Sequence, residues 1–301
     1  MRSDTVIGID LGGTNVRAGL VEGGRLTEVR AVPVRSQGTE HDVLEDLFSA
    51  VDAVMRPGVA GIGAGVPSAV DLRSGVVYDV QNIRSWTKVP LKAHLEDRYH
   101  LPAYVNNDAN CFAAGEKYFG KGKPYDNVVG LILGTGLGAG VIANGRLYSG
   151  INCGAGEFGM LPYLDSNFEA YASGQFFVSV HGVSGRKLGG RAEQGDPAAQ
   201  GIFAEYGHHL GEAVKAICYA VDPEAIILGG SVSKSYRFFK DAMWAAFQGF
   251  AYSITRERLK IEVSETENIA ILGAAALYYD AVWSRNSVRL QMPASKRFGN
   301  G

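Results

Sequence analysis

The sequence predicts an α/β protein whose chain folds into two lobes around a cleft, and a repeated motif is the main reason. Two apolar, partly β-branched runs each lead into a glycine turn with a threonine, at residues 6–14 (VIGIDLGGT) and 129–136 (VGLILGTG). Such short runs predict buried strands. In both copies a second strand returns through a glycine-containing hairpin, at residues 23–26 and 144–147. The repeat predicts two related lobes, each with one turn facing the cleft.

The first lobe is predicted to span residues 1–120, a length that can bury its own apolar core. Its predicted elements after the first hairpin are a helix over 42–55 with Thr39 as N-cap, strands over 61–67 and 103–108, and a helix over 109–119. That last helix ends at Gly120, and residues 121–126 form the predicted linker.

The second lobe is predicted to span residues 121–268. Asp196 as N-cap and Pro197 in the first turn mark a long helix with one apolar stripe. A strand over 225–228 then leads into a third glycine turn, Gly229-Gly230-Ser231. An apolar helix over 269–283 is expected to pack back on the first lobe, and residues 284–301 form a tail of loosely ordered composition.

The composition favours small-molecule partners. The formal net charge is -2 and the basic residues are scattered, so neither nucleic acid nor an anionic membrane is an expected partner. No apolar run suits a membrane span, and no leader precedes the first strand. The cysteines Cys111, Cys153 and Cys218 lie far apart. We therefore expect buried thiols in a soluble, unprocessed cytoplasmic protein rather than a disulfide framework.

The first two glycine turns are candidate phosphate sites. Their residues are Gly12, Gly13 and Thr14, and Gly134, Thr135 and Gly136. Backbone N–H groups of such a turn can bind an anion, and the missing side chain lets a phosphate approach closely. An ordinary tight hairpin would explain one copy, but the second copy disfavours that explanation. Asp10 beside the first turn is a candidate Mg²⁺ ligand, directly or through water, with turn capping as the alternative.

Asp108 is the candidate catalytic base. It follows a predicted strand and starts a predicted helix, so a simple N-cap is a strong alternative. A sugar kinase, however, needs a carboxylate within hydrogen-bond reach of the attacking hydroxyl, to accept its proton as the bond to phosphorus forms. The end of a strand that opens on the cleft is the expected position for that group.

Five segments in order carry a family resemblance. They are residues 10–14 (DLGGT), 107–110 (NDAN), 133–138 (LGTGLG), 154–159 (GAGEFG) and 169–174 (EAYASG). Together they resemble the ROK family, named for repressors, open reading frames and kinases, over residues 6–279. The resemblance implies the actin-like ATPase fold, with two ribonuclease H-like lobes. In kinase members it implies ATP-dependent phosphorylation of a hexose or N-acetylhexosamine.

The resemblance also implies roles for individual residues. Asp108 matches the catalytic base, and Thr14 and Thr135 match the two phosphate turns. The matches to sugar contacts are Asn107, Glu157 and Glu169, with Ser68 and Asn82 as further contacts. Gly229 and Gly230 match the segment that lines the adenosine site.

Two departures from the family pattern concern the segment before Glu169. Met160 stands where the pattern has a histidine, so it either contacts the substrate or packs in the core. Residues 161–168 (LPYLDSNF) replace a loop with three cysteines and a histidine, so zinc is not expected. We expect Tyr163, Leu164, Phe168 and Tyr171 to hold the segment by apolar packing, and the pair His208 and His209 to be exposed or capping.

These observations favour an ATP- and Mg²⁺-dependent kinase that phosphorylates the 6-hydroxyl of a hexose, most simply glucose. An N-acetylhexosamine kinase, such as one for N-acetylmannosamine, is the main alternative, followed by fructose and β-glucoside kinases. A sugar-responsive repressor is disfavoured because only five residues precede Val6. An assembling actin-like ATPase or chaperone would not need the sugar-facing residues. A homodimer is the expected assembly.

Overall fold

The structure is a computed structural model that describes residues 4–291, with side chains described as far as Val282. Within these residues the chain forms two compact units. The first contains residues 4–115, 151–153 and 268–291, and the second contains residues 116–150 and 154–267. The division lies inside a helix, ahead of the linker at residues 121–126 where the sequence places the boundary.

The described residues contain the following elements. The strands are β1 (Thr5–Leu11), β2 (Asn15–Glu22), β3 (Arg25–Pro33), β4 (Val59–Val66), β5 (Ala69–Asp71), β6 (Val76–Tyr78), β7 (Lys88–Val89), β8 (Ala103–Asn107), β9 (Val128–Leu133), β10 (Leu137–Ala143), β11 (Arg146–Tyr148), β12 (Pro162–Tyr163), β13 (Ser166–Asn167), β14 (Ala225–Gly229) and β15 (Lys260–Val263). The helices are α1 (Glu40–Val54), α2 (Leu91–Tyr99), α3 (Asp108–Tyr118), α4 (Phe168–Ala172), α5 (Gly174–Ser179), α6 (Gly185–Glu193), α7 (Pro197–Val221), α8 (Gly230–Ser233), α9 (Tyr236–Phe247), α10 (Ser253–Arg258) and α11 (Ile269–Gln291), with a 3-10 helix at Phe158–Met160.

The sheet of the first unit has the strand order β3-β2-β1-β4-β8. β1, β2 and β3 are antiparallel neighbours, whereas β1, β4 and β8 run parallel. Because the carboxyl ends of parallel strands meet at one edge of a sheet, the register places Asp10, Gly65 and Asn106 in one row across these three strands. The end of β1 and the end of β8 therefore lie close to one another.

Helices α1 and α11 pack on this sheet, α1 on β2 and β3 and α11 on β1 and β4. The predicted cap of α1 is confirmed, since the Thr39 hydroxyl accepts the Asp42 N–H at 3.2 Å and the Asp42 carboxylate accepts the Thr39 N–H at 2.8 Å. α11 extends beyond Trp283, where the sequence predicts its end, as far as Gln291. The rest of the predicted tail, residues 292–301, lies outside the described residues.

The sheet of the second unit has the order β11-β10-β9-β14-β15 and repeats the pattern of the first. Its first three strands in sequence are antiparallel, and β14 pairs in parallel with β9 and β15. Asn144 and Gly145 turn the β10–β11 hairpin with φ angles of 52° and 77°, as a tight hairpin of this type requires. The repeated supersecondary unit predicted by the sequence is confirmed.

The core of the second unit is built around α7. Its predicted cap is confirmed, because Asp196 accepts the Ala198 N–H at 2.9 Å and Pro197 occupies the first turn. The predicted apolar stripe is also confirmed. Its buried members are Phe203, Tyr206, Leu210, Val214 and Ile217, and Ile202 is partly buried beside them.

The three cysteines are buried and form no disulfide, as the sequence predicts. Burial raises the pKa of all three thiols, so they stay protonated near neutral pH. Within residues 4–291 no helix combines the length and the apolar character that a membrane span requires.

Candidate active site

The first glycine turn joins β1 to β2 in the first unit. The Gly12 N–H donates to the carbonyl of Asn15 at 2.9 Å, which closes the turn tightly. Asn82 packs directly against it, because a Cβ on Gly13 would lie 2.6 Å from the Cβ of Asn82. The structure thus brings together a predicted phosphate turn and a predicted sugar contact, and both Thr14 and Asn82 are exposed.

Asp10 has a partner that the sequence analysis missed. The Arg17 Nη2 and Nε groups donate to Asp10 Oδ2 at 2.6 and 3.1 Å. The two residues face each other across the β1–β2 ladder, so the hairpin register would have revealed the pair. The proposed alternative, turn capping, is not what the structure shows: the carboxylate forms an ion pair.

Asp10 offers a single carboxylate to a metal ion. Among the described residues there is no group of three or more histidine, cysteine or acidic side chains that could hold a metal. Mg²⁺ in phosphoryl-transfer sites is typically bound by one or two carboxylates together with phosphates and waters. One carboxylate whose Oδ2 is engaged by Arg17 therefore fits an Mg²⁺ ion that arrives with a nucleotide, directly or through water.

The junction between β8 and α3 carries Asn107 and Asp108. The Ala109 N–H lies 2.8 Å from Asn107 Oδ1 and 2.9 Å from Asp108 Oδ1, so both side chains help to start the helix. Asp108 is nevertheless exposed. Asn107 Nδ2 donates weakly to the carbonyl of Ser68 at 3.5 Å, and the Ser68 hydroxyl donates to the carbonyl of Tyr78. The helix begins at Asp108 itself, so Asn107 precedes it where the sequence predicts Asp108 as the N-cap, and the Asp108 carboxylate is exposed.

The buried side chain of Asn106 holds this junction in place. The sequence analysis did not single out this residue. It is buried, with only 5% of its surface exposed. Its Oδ1 atom accepts the Asn107 N–H at 2.8 Å, Asn110 Nδ2 at 2.9 Å and the Cys153 thiol at 3.1 Å. Three donors on one buried oxygen leave the backbone before Asp108 little freedom.

The second glycine turn lies in the second unit and is held from several directions. The Gly134 N–H donates to the carbonyl of Gly136 at 3.0 Å, and the carbonyl of Gly134 accepts the Gly174 N–H at 2.7 Å. The Ser173 hydroxyl donates to the carbonyl of Thr135 at 2.9 Å. This turn is therefore a preformed loop whose shape depends on the segment that follows α4.

Glu169 lies against this turn. Its Oε2 accepts the Leu137 N–H at 2.9 Å, and its Oε1 accepts Gln175 Nε2 at 3.1 Å. A Cβ on Gly136 would lie 2.4 Å from Oε2, so this glycine makes room for the carboxylate. A predicted sugar contact and a predicted phosphate turn are again adjacent.

Glu157 immediately precedes the 3-10 helix Phe158–Met160, and Met160 ends it, ahead of Glu169. The pKa of Glu157 is raised, first because the protein removes part of its water and second because of the charge on Glu169. Met160 has 50% of its surface exposed, so it is not a core residue of this chain.

The third glycine turn adjoins the second. β14 runs parallel to β9, with Gly229 opposite Ile132, and Gly230 lies against the backbone of Leu133. Gly229 and Gly230 therefore sit beside the strand end that leads into Gly134. The segment predicted to line the adenosine site and the second phosphate turn share one edge of the sheet.

Two expectations for the segment before Glu169 are wrong. Leu164 does not pack, because it stands at the tip of the β12–β13 hairpin with 67% of its surface exposed. His209 is neither exposed nor a cap, since its Nδ1 atom is hydrogen-bonded to the Tyr163 hydroxyl at 3.0 Å. Its neighbour His208 is exposed, as expected. Tyr163 and His209 are 46 positions apart in sequence, so the sequence carries no local signal of this contact.

Comparisons with known proteins agree with this arrangement. The ROK family model matches residues 6–281. Glucokinase of Streptomyces coelicolor is 32% identical in a 263-residue alignment that covers 75% of this chain and 82% of that protein. The structure of a ROK family glucokinase from Streptomyces griseus in complex with glucose and AMPPNP is 29% identical, with a TM-score of 0.75 over 91% of this chain and 98% of that chain. The xylose repressor of Bacillus subtilis is 28% identical over 74% of this chain and 62% of the repressor.

The repeated sheets and their glycine turns define a protein of the actin-like ATPase fold. The chain belongs to the ROK family. Its glucokinase relatives support a sugar kinase, and the family also contains repressors.

Proposed function

We propose that this protein is an ATP-dependent hexose kinase that transfers the γ-phosphoryl group to the 6-hydroxyl of the sugar, with glucose as the first candidate. The observation that carries the proposal is the row formed by Asp10, Gly65 and Asn106. Neighbouring strands lie about 4.8 Å apart, so the backbones of Asp10 and Asn106 are about 10 Å apart at one sheet edge. This spacing supports a reaction in which the first turn and Asp108 act on the same phosphoryl group.

In the proposed reaction Asp108 accepts the proton of the sugar hydroxyl. The oxygen of that hydroxyl attacks the γ-phosphorus, and ADP leaves. The N–H groups of both glycine turns and the hydroxyls of Thr14 and Thr135 hold the phosphates. Asp10 would hold an Mg²⁺ ion, directly or through water, and the ion would supply positive charge to the phosphates of the nucleotide. The contributions are positioning and electrostatics.

Sugar selection is assigned to polar side chains. The proposed contacts are Asn107, Ser68, Asn82, Glu157 and Glu169. A sugar that lacks one matched hydroxyl would cover a polar partner without pairing it, which disfavours that sugar. Gly229 and Gly230 are assigned to the adenosine end of ATP. A cytoplasmic homodimer is part of the proposal.

An N-acetylhexosamine kinase, for example for N-acetylmannosamine, is the second candidate, and Met160 favours it. This side chain is half exposed and lies three residues after Glu157. A thioether cannot donate to a hydroxyl, but it can pack against the methyl of an acetyl group.

The deciding experiment is a panel of hexoses and N-acetylhexosamines, including fructose and a β-glucoside, assayed for sugar-dependent ADP release. We expect the highest kcat/KM with glucose and a product phosphorylated at the 6-position by NMR. A higher value with an N-acetylhexosamine selects the second candidate. ATP turnover that no sugar stimulates contradicts both and points to an assembling ATPase. Sugar-responsive binding to DNA without turnover points to a repressor.

A further inference from the structure

An aromatic cluster surrounds the helix that carries Glu169. Its members are Tyr163, Phe168, Tyr171, Phe176 and His209. Tyr163 stacks on Phe168 with ring centres 4.5 Å apart and planes at 18°. Tyr171 meets Tyr163 at 5.6 Å and His209 at 5.0 Å. Such ring contacts contribute beyond the area that they bury.

One hydrogen bond within the aromatic cluster joins two distant segments. The Tyr163 hydroxyl on β12 lies 3.0 Å from His209 Nδ1 on α7. Burial, with a smaller effect from His208, lowers the pKa of His209, and burial raises that of Tyr163. Near neutral pH the imidazole is therefore neutral and the phenol protonated, so Nδ1 can accept the Tyr163 hydroxyl.

The aromatic cluster bears directly on the backbone before Glu169. The Phe168 N–H donates to the carbonyl of Leu161 at 3.1 Å, and Asn167 caps α4 by accepting the Ala170 N–H at 3.0 Å. Glu169, the next residue after Phe168, reaches the second glycine turn through the Leu137 N–H at 2.9 Å. α4 is thus held by the cluster through Phe168 and by the turn through Glu169.

This segment does not fit the zinc ion that the family pattern implies. Residues 161–168 contain no cysteine or histidine, and the part of the chain that the structure describes has no cluster of metal-ligating side chains. Tyr163 lies in the stretch of sequence in which that pattern has its ligands, and its hydroxyl contacts His209 on α7 instead.

We propose that Tyr163 and His209 are positioning residues that fix Glu169 for sugar binding, and that they do so where the family pattern relies on zinc. The inference rests on the proposed function, in which Glu169 hydrogen-bonds the sugar. Neither residue touches the substrate in this proposal. Both act through Phe168 and α4.

The test compares Tyr163→Phe, His209→Leu and His209→Asn in the full chain. Asparagine keeps an acceptor near the position of Nδ1, and leucine does not. Glucose affinity is measured by calorimetry without nucleotide, alongside the KM for ATP and the melting temperature. If the sugar panel shows a higher kcat/KM for another sugar, that sugar replaces glucose in the calorimetry. His208→Leu, at the exposed neighbour, is the matched control.

We expect the glucose Kd to rise about threefold to tenfold in Tyr163→Phe and His209→Leu, the loss associated with one neutral hydrogen bond. His209→Asn should restore the Kd to within about twofold, and the KM for ATP should stay unchanged. A lower melting temperature with unchanged sugar affinity would make the cluster purely structural and overturn the inference. Should His209→Leu fail to fold, Tyr163→Phe decides, because it removes a single oxygen.

Glu169→Gln separates this inference from the proposed function. If Glu169→Gln loses sugar affinity while Tyr163→Phe and His209→Leu keep it, the positioning role is wrong and the proposed function survives. If Glu169→Gln also binds sugar like the wild type, the proposed role of Glu169 fails, and the positioning role fails with it.

Discussion

Asp108 is both a helix-starting residue and an exposed carboxylate, and one substitution separates the two roles. Asp108→Asn keeps an oxygen for the Ala109 N–H, which lies 2.9 Å from Oδ1, but cannot accept a proton from the sugar. We expect turnover to fall about 100-fold to 10,000-fold, with sugar affinity largely retained. Steady-state ADP release and calorimetry measure the two effects. A variant that keeps more than about a tenth of wild-type turnover would leave Asp108 as a cap only.

Two glycines of the second turn offer a matched pair of variants. A Cβ on Gly136 would lie 2.4 Å from Oε2 of Glu169, whereas a Cβ on Gly134 meets no described atom within 4 Å. Gly136→Ala should therefore displace Glu169 and raise the KM for sugar about tenfold. Gly134→Ala should raise the KM for ATP and leave that for sugar within about twofold, because its methyl enters the phosphate side of the turn. Equal effects of the two variants on the KM for sugar would contradict the proposed role of Gly136 in making room for Glu169.

The raised pKa of Glu157 predicts a pH effect with a definite sign. A carboxyl with a raised pKa keeps its proton in the folded protein after the unfolded chain has lost it. Its contribution to stability therefore falls as the pH rises from the ordinary value near 4.5 to the raised one. Glu169→Gln removes the second cause of the shift, so the pKa of Glu157 should fall. Carbon NMR of the Glu157 carboxyl measures it, and Glu193→Gln, at an exposed carboxylate paired with Arg237, is the control.

At the residue scale, local motifs predicted the candidate site residues but not the distant residues that hold them in place. Asp108 and Glu169 stand in short motifs, and their side chains lie where strand ends and helix starts place them. Ser173, by contrast, reaches the carbonyl of Thr135, 38 residues away, and His209 reaches Tyr163 across 46 residues. Contacts between residues so far apart depend on the packing of whole elements, which a sequence pattern does not contain.

At the scale of elements, α7 provides a comparison of three glycines on one helix. A Cβ on Gly207 would lie 2.4 Å from the carbonyl oxygen of Phe239 on α9, and one on Gly211 would lie 2.5 Å from that of Met243. Gly201 faces open space among the described atoms. The first two glycines therefore let α9 pack closely on α7.

Gly201→Ala should raise the free energy of unfolding by about 0.5 to 1 kcal/mol, because alanine favours a helix over glycine. Gly207→Ala should lower it by about 1 to 3 kcal/mol through overpacking against the backbone of α9. Urea unfolding followed by circular dichroism measures both changes. If Gly207→Ala matched Gly201→Ala, the close approach of the two helices would not be required for stability.

Elements with strong local signals were predictable, and those held by tertiary contacts were not. The caps Thr39 and Asp196 and the hairpin at Asn144 are sequence features with a direct local cause. α2 (Leu91–Tyr99) was missed. It begins without a side-chain cap, and Leu91 and Leu95 are its buried residues. Its stability therefore depends on packing against other elements, which local sequence does not reveal.

At the scale of the molecule, the duplicated unit made the fold class predictable. The duplication alone does not indicate how closely the last helix packs on the first sheet. Both sheets have the same order and the same mixture of strand directions. Yet α11, the last element in sequence, packs on β1 and β4 of the first sheet. The carbonyls of Ile271 and Ala274 approach Gly8 and Gly63 so closely that a Cβ at either glycine would clash. The amino- and carboxyl-terminal parts of the chain thus build one core.

The dependence of the whole molecule on metals is the remaining prediction. Structural zinc contributes folding free energy, so a zinc-dependent protein loses stability on chelation. Here the described residues hold no metal-ligating cluster, and Tyr163 and His209 tie the segment before Glu169 to α7. We expect a zinc-selective chelator to move the melting temperature by less than about 2 °C, which corresponds to about 1 kcal/mol for a chain of this size.

Catalysis should respond to metals differently from folding. EDTA should abolish ADP release, and excess Mg²⁺ should restore it, because the proposed function has an Mg²⁺ ion accompany the nucleotide to Asp10. Asp10→Asn should raise the Mg²⁺ concentration needed for half-maximal nucleotide binding, while Glu193→Gln, a surface control, should not. Binding of a fluorescent ATP analogue at a series of Mg²⁺ concentrations separates this effect from turnover. Stoichiometric zinc by elemental analysis, together with a chelator-induced loss of stability, would contradict the metal-free fold. An unchanged Mg²⁺ dependence in Asp10→Asn would remove Asp10 from the nucleotide site.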